Sequence, residues 1–216
     1  MPVPLELFRS LPPKERFHVR ARAFSAPMDA VAQRVPATGR IADVGCGHGV
    51  FTALLAHGHP ERRVLGVDPD ERKIESAKRA LGALQNVELR VAKIEELSPE
   101  LDGALDAVAV LDVLYLLPLP AWTDFLRACR TLLKPGGLLV WKEVEANRSW
   151  KHHKALLQEQ VMVKLLGRTK SSGGLNVVPR EQMEAMLRDA GLALKETVDL
   201  SRGYTTPHVL FVAEAR

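Results

Sequence analysis

The stretch IADVGCGHGVF, Ile41 to Phe51, runs from four strand-like residues through an acid, Asp43, into three alternate glycines and then a helix-like segment. Glycines at such spacing mark a backbone that turns sharply or lets something approach closely. In open α/β sheets this is where a nucleotide-like ligand sits, at the carboxyl end of the first strand. Dinucleotide-binding turns space their glycines GxGxxG and set a helix N-terminus against a pyrophosphate. Here the spacing is GxGxG, and an acid inside a pyrophosphate turn would repel its ligand. A carboxylate at Asp43 suits instead a ligand that presents an amino group.

Outward from this loop the chain keeps one rhythm. Strand-like runs read RIADVG (40–45), RVLGV (63–67), VELRVA (87–92), LDAVAVL (105–111) and GLLVWKE (137–143). Near-continuous apolar strands of this kind are covered on both faces, as in parallel sheets. Helical patterns fall between them, over 49–57, about 70–84 with Asp70 as N-cap, and 121–133, the last stopped by KPGG. A further helix follows Pro179 and ends before Gly191. Then ALKETVD (193–199) and PHVLFVAE (207–214) are joined by seven residues, too few for a parallel crossover, so this pair is expected to be antiparallel. The expectation is a doubly wound, mostly parallel α/β sheet of seven strands closed by an antiparallel C-terminal hairpin.

The 216 residues are read as one domain, with an N-terminal helical cap over 1–36 and an insert over 144–179. Two cysteines, Cys46 and Cys129, give no disulfide framework and point to a reducing, cytoplasmic setting. The first residues lack the apolar core of a signal peptide. The most apolar window, 104–122, is broken by Asp106, Asp112, Pro118 and Pro120, so a membrane span is not expected there. The net charge of +4 is unevenly placed: residues 1–40 carry 7 Lys/Arg against 3 Asp/Glu, and residues 147–180 carry 7 against 1.

Asp43, Gly45, Gly47 and Gly49 in DVGCGHG, Asp68 in GVDPD, the DVLYLLP after the fourth strand and LLKPGG before the fifth occur in order. With the closing hairpin they make the chain resemble the class I S-adenosylmethionine-dependent methyltransferases, a Rossmann-like fold, over residues 36–216. The resemblance implies S-adenosyl-L-methionine as cofactor. Its methionine and ribose would lie along Gly45, Cys46, Gly47 and Gly49, its amino group at Asp43, its ribose hydroxyls at Asp68 and its adenine beside Pro69. The family places an Asp after the third strand; here Lys93 stands there and cannot accept a hydrogen bond from adenine. Backbone groups of Ala92 to Ile94, with Ile94 as an apolar wall, are expected to hold the ring.

Methyl transfer is an in-line displacement at a reactive sulfonium, so positioning supplies much of the catalysis. Asp112, after the fourth strand, is a candidate for the cofactor amino group or the acceptor. Lys142 and Glu143, at the end of the fifth strand, are the other catalytic candidates. Arg20 or Arg22 in RFHVRARAF would face the methionine carboxylate or an anionic acceptor. A helix over about 149–166, with Trp150, Leu157, Val161 and Leu165 in one stripe beside Lys151, Lys154 and Lys164, would cover the acceptor. A basic, apolar cover suits a small, lipid-like or carrier-bound acceptor, anionic at one end. RNA or protein methylation, a non-catalytic binding module and a nicotinamide dehydrogenase are the other readings. The Asn/Asp-Pro-Pro-aromatic motif of DNA-base methylation is missing. No metal is expected, since the neighbours His152 and His153 point about 100° apart on a helix and lack a ligand at suitable spacing.

Overall fold

The computed structural model describes residues 2–146, 176–204 and 206–216. A 3-10 turn (Leu5–Phe8) leads into α1 (Pro13–Ser25) and α2 (Met28–Ala32). Then come β1 (Gly39–Val44), α3 (Val50–His57), β2 (Arg62–Asp68), α4 (Glu71–Leu81), β3 (Val87–Val91) and β4 (Leu105–Leu111). The chain continues through α5 (Trp122–Leu132), β5 (Leu133–Val144), α6 (Arg180–Asp189), β6 (Leu192–Asp199) and β7 (His208–Ala215).

The seven strands lie in the order β3-β2-β1-β4-β5-β7-β6. The first five pair in parallel, and β7 runs antiparallel between β5 and β6. The expected hairpin forms, with its second strand threaded inward against β5. Strand order reverses between β1 and β4, and that switch point is where such sheets leave a crevice at their carboxyl edge.

β4 shows why both faces are covered. Leu105, Val108 and Val110 enter a core built with α5 and α6 through Trp122, Leu126, Met183 and Leu187. Ala107, Ala109 and Leu111 face the opposite core, with Phe51, Leu54 and Leu55 of α3 and Val31 of α2. Small residues on that second side let α3 pack close to the sheet. α4 begins where expected, with the Asp70 side chain accepting from the Arg72 amide at 3.1 Å. β5 starts earlier than expected, because Leu133 already pairs with Leu105 and the KPGG turn is absorbed as an irregularity in the ladder. Among the described residues no helix is long and apolar enough to cross a membrane.

Arg62, at the start of β2, is 2% exposed and has no carboxylate partner among the described residues. Its guanidinium donates to the carbonyls of Pro36 (2.7 Å), Val35 (2.9 Å), Leu55 (3.1 Å) and Ala32 (3.4 Å). It thereby ties the segment after α2 and the end of α3 to the sheet. Arg62→Met would leave these carbonyls buried without a donor, at about 1–3 kcal/mol for each fully orphaned group. Urea unfolding is expected to show a loss of at least about 2 kcal/mol; a loss below about 1 kcal/mol would mean the network relaxes freely.

Candidate functional site

The carboxyl ends of β1, β2, β4 and β5 converge on one edge of the sheet. The glycine turn leaves β1 and folds over β2, where the Val67 carbonyl accepts from both Gly45 N (2.8 Å) and Cys46 N (3.0 Å). Asp68 fixes the turn from below: its Oδ2 accepts from Gly47 N at 3.0 Å and its Oδ1 from Asp70 N at 2.9 Å. Each carboxylate oxygen retains a further lone pair. The nearest cation, Lys73 Nζ, stands 3.9 Å away.

Two glycines show different constraints. Gly49 caps α3 with φ +78°, and a Cβ there would lie 2.8 Å from Leu81 Cδ1 and 3.2 Å from Ala77 Cβ, so backbone conformation and packing together favour glycine. Gly47 also has positive φ, +56°, yet a Cβ there would meet nothing closer than Lys73 Cδ at 3.9 Å and Asp68 Oδ2 at 4.0 Å. The space beside Gly47 is open and bordered by the Asp68 carboxylate. That is the shape required to seat a ribose against bare backbone, so these residues fit S-adenosylmethionine. Pro69 is exposed at the same tip, and Ile94 is buried at the start of the 3-10 turn after β3. The Lys93 amide is occupied by Glu96 Oε2 at 2.9 Å, and the Ala92 amide donates to the Asp68 carbonyl at 3.3 Å.

Asp43 is 2% exposed, with its Oδ2 accepting from Thr52 Oγ1 at 2.6 Å. Thr52 lies on the first turn of α3 and drew no attention in the sequence, where it reads as one more residue of an apolar helix. Burial pushes the Asp43 carboxyl up to about 6, against the pull of the Thr52 hydroxyl. Cys46 is half-buried in the loop, and burial raises its thiol well above the usual range.

The second half of the site is a buried charge cluster. Asp112 has φ +56°, the one non-glycine residue with positive φ among those described. Such a conformation costs on the order of 1–3 kcal/mol and persists where surroundings over-determine it. Here Lys142 Nζ donates to Asp112 Oδ1 and Arg22 Nη1 to Oδ2, each at 2.5 Å, while the Asp112 amide donates to the Lys142 carbonyl at 3.0 Å. Burial alone would raise the Asp112 carboxyl; the two cations outweigh it and hold the group below the usual range. Arg22 reaches in from α1 and also donates to the Leu111 carbonyl at 3.2 Å. Arg20 lies on the exposed side of that helix.

Lys142 and Glu143 are both wholly buried. Glu143 accepts from the Leu114 amide (2.9 Å) and the Val144 amide (3.2 Å), which fixes the turn after β4. Burial and the nearby Asp112 charge push its carboxyl up to about 8, against the pull of Lys142 and of the two amides, which favours its protonated form. His208 opens β7 at the same edge, and its ring nitrogens have no hydrogen-bond partner among the described residues. Burial and the Lys142 charge lower the imidazole to about 4, leaving it neutral. Nothing local in the sequence singles His208 out; antiparallel pairing brings it opposite Val144. The helix expected over 149–166, with Trp150, His152 and His153, lies outside the described residues. The flanks of that stretch meet at the site: the Ala146 amide donates to the Val178 carbonyl at 3.0 Å, and Arg180 grips Glu145 at 2.9 and 2.8 Å.

The raised Asp43 carboxyl has a thermodynamic consequence. Its ionised form is disfavoured in the folded state, so its contribution to stability falls as pH rises from about 4 to about 6 and stays low above. Asp43→Asn keeps the acceptor for Thr52 without the charge. Thermal unfolding is expected to give a higher Tm than the parent at pH 8 and an equal one at pH 4. A variant less stable at pH 8 would mean the charge is compensated in the fold.

A methyltransferase-domain family model matches residues 41–137, from β1 to the start of the main run of β5. The ubiquinone biosynthesis O-methyltransferase of Acinetobacter baumannii (strain ACICU) is 32% identical over 169 residues, which are 74% of this chain and 66% of that protein. Its counterpart from Acinetobacter baylyi is 31% identical over 172 residues, 78% of this chain and 69% of that protein. The chain thus spans about two thirds of the length of these relatives. Among solved structures, an O-methyltransferase family protein from Burkholderia thailandensis superposes with TM-score 0.71 at 20% identity, over 97% of this chain and 61% of that one. Geranyl diphosphate C-methyltransferase from Streptomyces coelicolor gives TM-score 0.70 at 18% identity, over 90% and 77%. With the glycine turn, Asp68 and the 3-2-1-4-5-7-6 sheet agreeing, the chain belongs to the class I S-adenosylmethionine-dependent methyltransferases.

Proposed function

We propose that this protein transfers a methyl group from S-adenosylmethionine to an oxygen of a small, lipid-like molecule with an acidic or readily ionised group. One observation supports the anionic part above all: the buried cluster at the ends of β4 and β5 holds two cations, Arg22 and Lys142, against one ionised carboxylate, Asp112. Burial pushes Glu143 up and His208 down, which favours their neutral forms beside the cations, and burial also lowers Lys142 against the pull of Asp112. With Lys142 charged the cluster has one positive charge in excess, shared between the fully buried Lys142 and an Arg22 side chain that is 30% exposed, where its field is stronger than in open water. An acceptor oxygen must shed its proton to attack, and that excess charge would favour its anionic form. The similarity to proteins named ubiquinone biosynthesis O-methyltransferases supports the oxygen and the lipid-like body.

In this reading Gly45, Cys46, Gly47 and Gly49 line the cofactor with backbone, Asp68 takes the ribose hydroxyls, and Pro69 and Ile94 flank the adenine. Asp43 faces the methionine amino group, steadied by Thr52. The bound cofactor supplies an electrophilic methyl on sulfur. Asp112 holds Arg22 and Lys142 in place, so that its role is with the acceptor side as much as with the cofactor. Glu143 fixes the turn on which Asp112 stands. The described ends of the segment 144–179 meet at this edge.

Incubation with methyl-labelled S-adenosylmethionine and an extract of host lipids, RNA, protein and metabolites is expected to label a small organic-soluble molecule. Label confined to RNA or protein would overturn the acceptor assignment. Two substitutions should separate the halves of the site. Asp68→Ala should weaken S-adenosylhomocysteine binding at least about tenfold, because hydrogen bonds to a charged acceptor contribute about 1.5–3 kcal/mol. Arg22→Gln should leave that affinity within about twofold and cut turnover at least about tenfold, the loss of one transition-state contact of some 1.4 kcal/mol. Equal effects of the two on cofactor affinity would contradict the division.

A further inference from the structure

α1 presents two unlike faces. Its inner face reaches the site: Arg22 on Asp112, the His18 ring 4.8 Å from that of His48 in the glycine turn, and Glu15 accepting from Ser76 Oγ at 2.7 Å. Val19 is the one buried residue of the helix. The outer face holds Phe17, 67% exposed, and Phe24, 77% exposed. At 100° per residue Phe24 falls about 20° from Phe17, and Arg20 about 60° from it, so the three form one outward stripe. Two phenyl rings left in water on one stripe are a liability unless something covers them.

Three arginines stand beside this stripe. Arg9, Arg16 and Arg20 line a single shallow depression of about 20 Å³, floored by Leu5, Phe8 and Val19. None of the three has an ion pair among the described residues. Glu15 of the same helix is turned away toward Ser76 and Arg79, and the exposed Glu6 is the nearest acid in sequence.

We propose that the outer face of α1 is a docking surface for an anionic lipid bilayer, with Phe17 and Phe24 entering the headgroup layer and Arg9, Arg16 and Arg20 pairing lipid phosphates. Apolar anchors and basic residues on one short helix face are the chemistry of interfacial helices. The negative potential of an anionic leaflet attracts such arginines individually. Single-stranded nucleic acid would instead stack bases on the rings, and retention on RNA is the outcome that separates it from a bilayer. Docking in this way sets the carboxyl edge of the sheet, reached by the inner face of the same helix, next to the bilayer. A lipid-like acceptor would then enter from the membrane rather than through water, although the docking itself holds for any acceptor.

The full chain is tested by co-sedimentation with vesicles of phosphatidylcholine alone and of phosphatidylcholine mixed with phosphatidylglycerol. Binding is expected to the mixed vesicles, weakened by salt as exposed charges are screened. Phe17→Ser with Phe24→Ser should lower it at least tenfold. Arg16→Gln with Arg20→Gln should lower it about fivefold for each arginine removed. Both double variants should bind S-adenosylhomocysteine as the parent does, which shows that they are folded. Parent protein that ignores the mixed vesicles, that is retained by single-stranded RNA instead, or whose vesicle binding survives both double substitutions would overturn the proposal.

Discussion

The Asp68 carboxylate holds two backbone amides, Gly47 N at 3.0 Å and Asp70 N at 2.9 Å, and the site depends on that clasp. One amide belongs to the turn after β1, the other to the N-cap of α4. The carboxylate therefore joins the two strand ends that border the crevice and sets the start of a helix in the same act. Its own position comes from β2, paired on both sides by β1 and β3. A charged acceptor with two amide donors is worth more than a neutral one, and it is oriented before any ligand arrives. The ribose contacts proposed for it would thus cost no rearrangement.

The opposite side of the site relies on electrostatic compensation. Asp112 sits in a left-handed backbone conformation that few non-glycine residues tolerate, and it is held there by Lys142 and Arg22. Buried ion pairs seldom add stability over an apolar replacement, because desolvation offsets the attraction. Their presence at this edge is better understood through function: they keep charge fixed in a place where water could not. The cost is met in the two cores, where β4 packs against α5 and α6 on one face and against α2 and α3 on the other.

Much of this was legible in the chain itself. The strand over 105–111 is bounded as its apolar run suggests, and Asp70 caps α4 as its residue type suggests. The glycine spacing and the two acids pointed to the family, and the sheet and the relatives agree with it. What stayed hidden depends on partners distant in sequence. Thr52 matters only because α3 turns it toward Asp43, and Arg62 only because two backbone segments, 32–36 and the end of α3, present carbonyls to it. His208 gains its place from β7 running inward beside β5, and no local pattern announces that a last strand will insert rather than append. Lys142 and Glu143 were legible as residues at the edge, but not their burial. The first is drawn onto Asp112, the second onto the Leu114 and Val144 amides. Likewise, helix periodicity alone could not say which of Arg20 and Arg22 turns inward.

The central claim is that the Asp43 turn and Asp68 form a seat for a nucleoside bearing an amino acid, not for a dinucleotide. Calorimetric titration of the purified chain with S-adenosylhomocysteine and, separately, with NAD tests it directly. The account predicts saturable binding of S-adenosylhomocysteine with one molecule per chain and no heat of binding with NAD. Saturable binding of NAD with none of S-adenosylhomocysteine would contradict it.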